Sequence, residues 1–173
     1  ELSGEVNLVK AARVIQAMGP QRVVIKRGEY GAVVFHSDFT FAVPAYPLVT
    51  VIDPTGAGDS FAGGVLGYLS SINDTGDDAI RRAAVVGSVM ASFAVESYGL
   101  ERLHSLSASD IDARFDAFVE LTRFHPLGGG QGLLLPPGHG VAGHLRQHAA
   151  HVDDHIQVRC LAIIDATRLH RIE

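Results

Sequence analysis

Residues 48–69 read LVTVIDPTGAGDSFAGGVLGYL, and their order predicts a strand over Leu48–Ile52, a turn over 53–58 and a helix from about Gly58 to Ser70. Gly56, Ala57 and Gly58 carry little or no side chain, so backbone N–H groups there can approach a ligand closely. They fall where the first N–H groups of a helix have no intrahelical acceptor, a place that suits an anion by hydrogen bonding and by the helix dipole. Asp59 follows in the first helical turn. A carboxylate beside a bound phosphate is repelled by it unless the carboxylate has another task, such as taking the proton from a hydroxyl that attacks the phosphoryl group. The plainer reading is a tight strand-to-helix turn with Asp59 complementing the dipole. Ala62, Gly63 and Gly64 weigh against it. They keep the first helical turns slim, and each glycine costs about 1 kcal/mol relative to alanine in a helix. The segment is not a Walker A loop, because no Gly-Lys-Ser/Thr follows.

Upstream, Asn7 is placed to cap a helix over 8–18, with Leu8, Ala11, Ala12 and Ile15 on one face and Gly19-Pro20 as its stop. Val23–Lys26 reads as a short apolar strand and Arg27–Gly31 as a turn. Ala32–His36 and Phe39–Val43 read as two hairpin strands joined through Ser37-Asp38. Downstream, Asn73–Asp77 is a loop, and Asp78–Val95 is a nearly all-apolar helix of the kind buried on most sides. A last helical pattern covers 109–122, with Ile111, Phe115, Phe118 and Leu121 at helical spacing and a Ser107/Asp110 pair resembling a capping box. Strands alternating with helices indicate an α/β fold with a largely parallel sheet.

The 173 residues suit one domain, with 47% hydrophobic and 19% charged residues and a formal charge of −5. Such a balance argues against nucleic acid as a partner, since phosphate contacts need clustered Lys and Arg. Only Lys10 and Lys26 are lysines. The longest apolar stretch, Ala83–Val95, is too short to cross a bilayer, so no membrane partner is expected. Cys160 is the single cysteine, which is compatible with a reducing compartment and a cytoplasmic protein. Glu1 opens the chain, and ELSGE reads as the interior of a longer sequence.

Composition changes near His125. Seven of nine histidines and no lysine lie in 125–173, and 126–143 holds seven glycines and three prolines. A boundary at about 124 therefore divides the fold (1–124) from a Gly/Pro/His-rich tail (125–173). The tail is either a linker with a small appended element or sequence outside the fold, such as an out-of-frame read-through; the composition favours the second. Only Ile156–Ala166 looks strand-like. His144, His148, His151 and His155 share a helical face, with Asp153 and Asp154 nearby. This spacing can bind Zn²⁺, although accidental enrichment explains it better.

DPTGAGDSFAGG resembles the C-terminal signature of the ribokinase, or PfkB, family of carbohydrate kinases. VVIKRGEYGAVVF upstream is similar to the family's strand–glycine-turn–strand before the ATP site. The apolar helix and the ESYGL turn downstream are similar to segments that close over adenine and a monovalent cation. The resemblance covers about 1–124, roughly the last two-fifths of a family member, and implies a three-layer α/β/α fold. It implies ATP-dependent transfer of a phosphoryl group to a sugar hydroxyl; the alternatives are an adenosine-like nucleoside kinase and a non-catalytic nucleotide-binding fragment. By matching position, Asp59 is the general base and touches the acceptor, and Gly56, Ala57 and Gly58 form the anion hole. Lys26 and Gly28 contact the nucleotide, though Lys26 also reads as a solvated strand-end lysine. Asp53 helps hold a monovalent cation such as K⁺, with an Asx turn before Pro54 as the equal alternative. Gly87 and Ser88 line the adenine region or serve helix packing. ATP, Mg²⁺ and K⁺ are the implied cofactors, a small sugar or nucleoside the partner, and a homodimer the expected state of the full-length protein. The family's Asn-x-x-Glu motif for magnesium, expected just before Glu1, does not occur in these residues, nor do the N-terminal sugar-binding residues and the β-lid.

Overall fold

In the computed structural model, residues 2–124 and 161–165 are described. Helix α1 spans Leu8–Ala17, and the Asn7 side chain accepts hydrogen bonds from the Val9 and Lys10 amides, as its capping position predicts. Strand β1 (Arg22–Lys26) follows, then a 3₁₀ turn over Gly28–Tyr30. Strands β2 (Ala32–Phe35) and β3 (Thr40–Val43) form the expected hairpin. Helix α2 runs Ala57–Ile72 and α3 runs Asp77–Ala94. A short α4 (Glu101–His104) precedes α5 (Ala108–Thr122), and β4 covers Leu161–Asp165.

Among the described residues the sheet has the order β3-β2-β1-β4. It is mixed: β1 pairs antiparallel with β2 and parallel with β4, while the β2–β3 hairpin is antiparallel. The pleat separates two cores. Val23, Ile25 and Phe35 face α1, where they pack with Ala11, Ala12 and Ile15. Val24, Ala32 and Val34 point the other way, onto Phe61, Val65 and Leu69 of α2 and Ala83, Ala84, Val89 and Phe93 of α3. This gives the three layers α1, sheet, α2/α3, and it explains why β1 is apolar on both faces.

Three reasons fix the helices beyond their apolar content. A Cβ on Gly87 would come within 2.8 Å of Val65 Cγ2 and 2.9 Å of the Phe61 carbonyl oxygen. A Cβ on Gly64 would lie 3.0 Å from the Gly87 Cα. The two glycines therefore allow α2 and α3 to touch backbone to backbone. Third, the Ser107 amide donates to Asp110 Oδ2 (2.9 Å) while the Asp110 amide donates to Ser107 Oγ (3.2 Å), which completes the reciprocal capping box at the start of α5.

One expectation is corrected. Leu48–Ile52 is not a strand. Val49 is fully exposed, and the backbone tie at the end of this stretch is the Ile52 amide on the Val95 carbonyl oxygen, 2.8 Å. Its β-branched residues have strand propensity but no neighbouring strand among the described residues to pair with, and propensity alone does not make a ladder.

Candidate active site

Asp53 ends the irregular stretch, and its Oδ1 accepts from the Thr55 amide at 2.9 Å. This is the Asx turn anticipated before proline. Hydrogen bonds from the Thr55 backbone and side chain hold the Asp53 carboxyl below the usual carboxylate range. Gly56 then adopts φ +82°, a left-handed conformation that suits glycine, and caps α2 without any side-chain hydrogen bond. The Ala57 amide turns back onto the Pro54 carbonyl oxygen at 3.2 Å, and the first helical bond runs from the Ser60 amide to Gly56 at 2.9 Å. The amides of Gly58 and Asp59 lie between these two bonds, at the positive end of the helix.

Asp59 lies on the first turn of α2 and is exposed, while Ala57 and Gly58 are half-buried. The Gly58 amide and the Asp59 carboxylate are thus adjacent on one helix start, where the sequence places them. Of the three anion-hole positions, Ala57 has its amide engaged within the turn.

The Asp53 turn meets the segment after α3. Val95 O accepts from the Ile52 amide at 2.8 Å and from the Asp53 amide at 3.4 Å. The two segments linked by resemblance to a cation site are therefore held together through the backbone. Glu96 in the second is already committed: its carboxylate pairs with Arg114 Nη2 (2.7 Å) and Arg102 Nε (3.2 Å). Lys26 is half-buried at the end of β1, and Gly28 takes φ +58° just beyond it. Gly87 and Ser88 are both buried in α3. Gly87 abuts α2, and Ser88 Oγ donates to the Pro44 carbonyl oxygen at 2.8 Å. Both therefore have structural work in helix packing and loop anchoring.

A model of the pfkB family of carbohydrate kinases matches residues 2–102. The chain belongs to this family. Among curated relatives of this pfkB chain, a cytidine kinase of Thermococcus kodakarensis is 43% identical over 70 residues, covering 39% of this chain and 25% of that protein. Among solved structures, aminoimidazole riboside kinase of Salmonella enterica, complexed with aminoimidazole riboside and an ATP analogue, superposes with a TM-score of 0.57. It is 28% identical and covers 67% of this chain and 38% of that one. Fructokinase of Vibrio cholerae, bound to fructose, ADP and calcium, gives a TM-score of 0.58 at 26% identity, covering 64% of this chain and 36% of that one. The pfkB chain thus has the ribokinase-type α/β fold. It spans about a quarter of the first curated relative and just over a third of the solved ones.

Sequence reading missed one cluster. His36, Asp38 and Asp77 bring potential metal-ligating atoms within 4.8 Å of one another. Arg22 Nη2 sits 3.1 Å from Asp77 Oδ1, so a fixed positive charge already serves that carboxylate. We read the group as an ion-pair network that ties β1 to the start of α3. No spacing rule could have found it, because Asp77 lies about forty residues beyond His36 and Asp38. His144, His148, His151, His155, Asp153 and Asp154 lie outside the described residues, as does most of the 125–173 tail. Among the described residues, no helix is long and apolar enough to cross a membrane.

Proposed function

We propose that this chain is the ATP-side part of a kinase that transfers the γ-phosphoryl group of ATP to a hydroxyl of a sugar. The observation that carries the reading is the start of α2: an exposed Asp59 next to the Gly58 and Asp59 amides, in a helix with no side-chain cap. Asp59 acts as the general base. It accepts the acceptor's hydroxyl proton as that oxygen attacks the γ-phosphorus and ADP departs. The backbone of Gly56–Gly58 is the anion hole, which faces the negative charge on the transferring group. Lys26 and Gly28 meet the nucleotide from the end of β1. A nucleoside is the second acceptor class, favoured by the 43% identity to a cytidine kinase.

Asp53 and the turn that follows α3 would hold a monovalent cation, which adds positive charge beside the anion hole. That role fits the backbone bonds joining the two segments and the low-lying Asp53 carboxyl. Mg²⁺ accompanies ATP in this reading, but no residue of this chain is assigned to it, because no Asn-x-x-Glu sequence occurs among the 173 residues. A cytoplasmic, homodimeric full-length enzyme completes the proposal.

The test is phosphoryl transfer from ATP to a panel of sugars and nucleosides, comparing Asp59 with Asp59→Asn in a protein competent for turnover. ATP affinity is measured alongside. Lost turnover with retained affinity supports the assignment, and equal turnover in a folded variant leaves the site as a phosphate-binding turn only.

A further inference from the structure

The stretch that leads into the Asp53 turn is tied at one carbonyl, and that carbonyl is anchored from α5. Val95 O accepts from the Ile52 amide (2.8 Å) and from the Asp53 amide (3.4 Å). It shares one planar peptide unit with the Glu96 amide, and the two groups point to opposite sides of that unit. The Glu96 amide bonds back to the Phe93 carbonyl oxygen at 3.2 Å, so a single rigid plane bridges the end of α3 and the Asp53 turn. Glu96 is then fixed at both carboxylate oxygens. Oε1 accepts from Arg114 Nη2 at 2.7 Å and Oε2 from Arg102 Nε at 3.2 Å. The two arginines are not equivalent. Arg102 lies six residues on in the same connection, and its amide donates to Ser97 Oγ at 3.0 Å, so it travels with the turn. Arg114 comes from α5 and is held independently. Its Nη1 donates to Ser92 Oγ at 3.1 Å, and its Cζ stands 3.5 Å from the centre of the Phe93 ring. The Arg114 and Glu96 side chains are both largely buried, which limits screening of the pair. A planar guanidinium can stack on Phe93 and bond Ser92 and Glu96 at once; an ammonium cannot.

We propose that Arg114 is a positioning residue for the start of α2. By holding Glu96 it orients the Val95–Glu96 peptide, and through Val95 O it sets how residues 52–56 lead into the backbone of Gly56–Gly58. It acts through Glu96 and Val95, not on a reacting atom. The inference rests on the kinase reading for the chemistry that the turn serves; the chain of contacts from α5 to Asp53 does not depend on it.

Two variants and two readouts test it. Arg114→Ala removes the anchor, and Arg114→Lys keeps the charge without the fork. In the full chain, amide exchange at Ile52 and Asp53 should quicken about tenfold or more in Arg114→Ala, and by less in Arg114→Lys, while the buried Val24 and Val65 stay protected. Unchanged exchange at Ile52 and Asp53 overturns the proposal. Equal quickening at all four positions overturns it too, since it marks a residue that only stabilises the fold. Where Arg114→Ala does not fold, Arg114→Lys decides by the same comparison. In a turnover-competent protein, Arg114→Ala should lower kcat by about 10–10²-fold, the cost of displacing an aligned group by about 1 Å. KM for ATP should stay within about threefold, and Arg114→Lys should recover part of kcat. Altered exchange with unchanged kcat overturns the positioning role. The kinase reading fails separately, by full turnover in Asp59→Asn, and the exchange comparison then still decides whether α5 sets the turn.

Discussion

At the scale of single residues, Asp59 and Asp110 occupy equivalent places early in a helix but have different surroundings. Asp110 is spent on its helix: its Oδ2 accepts from the Ser107 amide (2.9 Å) and hydroxyl (2.7 Å). These bonds, from the backbone first, lower its pKa. A carboxyl whose folded pKa is depressed adds stability that is present above the unfolded value of about 3.9 and is lost as pH falls through the folded value. Asp110→Ala should therefore be less stable than wild type at neutral pH, and the gap should close in acid below about pH 4. Urea denaturation of both proteins across pH reads it, and a gap that persists unchanged in acid would refute the charge-dependent cap. Asp59 has no such capping partner in its turn, which leaves its carboxylate available for the proposed role as base. Asp59→Asn keeps the size but cannot accept a hydroxyl proton. Loss of a general base costs about 10²–10⁴-fold in rate. In a turnover-competent protein kcat should fall by that factor while ATP affinity holds. Gly58→Val is the contrasting change: crowding the amides should impair affinity and rate together. If both variants lose affinity equally, the two roles are not separable.

Helices and strands show where sequence reading succeeds. Helix α2 begins at Ala57, one residue from the expected Gly58, because Gly56 and the turn chemistry of Asp53–Pro54 are local signals. Helix α1, the β2–β3 hairpin and the capping box of α5 were legible for the same reason. The reading failed at Leu48–Ile52, where a β-branched run finds no partner strand among the described residues. It could not foresee β4's neighbour either, because pairing with β1 joins residues more than 130 positions apart. The glycines of α2 and α3 divide in the same way. Composition marks them all alike, yet only some face a neighbouring helix. Nothing lies within 4 Å of a Cβ built on Gly67, whereas one on Gly87 meets Val65 and the Phe61 carbonyl below 3 Å. Gly67→Ala should thus stabilise the protein by about 0.5–1 kcal/mol through helix propensity. Gly87→Ala should destabilise it by about 1–3 kcal/mol, since two helix backbones must separate. Chemical denaturation midpoints at equal slope decide between them. The same sign for both variants would mean that the α2–α3 contact is looser than it stands.

For the molecule as a whole, the geometry of the helix start was legible and its enclosure was not. DPTGAGDSFAGG predicts a glycine-rich helix start followed by a carboxylate, and the structure places Gly56–Gly58 and Asp59 together there; it also joins Asp53 to the turn after α3, which spacing alone could only suggest by resemblance. What would enclose a nucleotide is a property of a larger surface, and this chain spans only about a fifth to two-fifths of the kinases it matches. The helix start stands open: Gly56 and Asp59 are exposed and Gly58 is half-buried. An anion at an exposed helix N-terminus gains about 0.3–1 kcal/mol, and the half-buried Lys26 adds a contact of the same order in water. Micromolar affinity requires about 8 kcal/mol, which small-molecule sites reach by burying 70–90% of the ligand's surface. The chain by itself should therefore bind ATP only at millimolar concentration or more weakly. Titration with ATP and Mg²⁺, followed by amide chemical shifts, should move Gly56–Asp59 first and without saturation below about 1 mM. Saturable micromolar binding would show that these residues enclose the nucleotide far better than the open helix start implies.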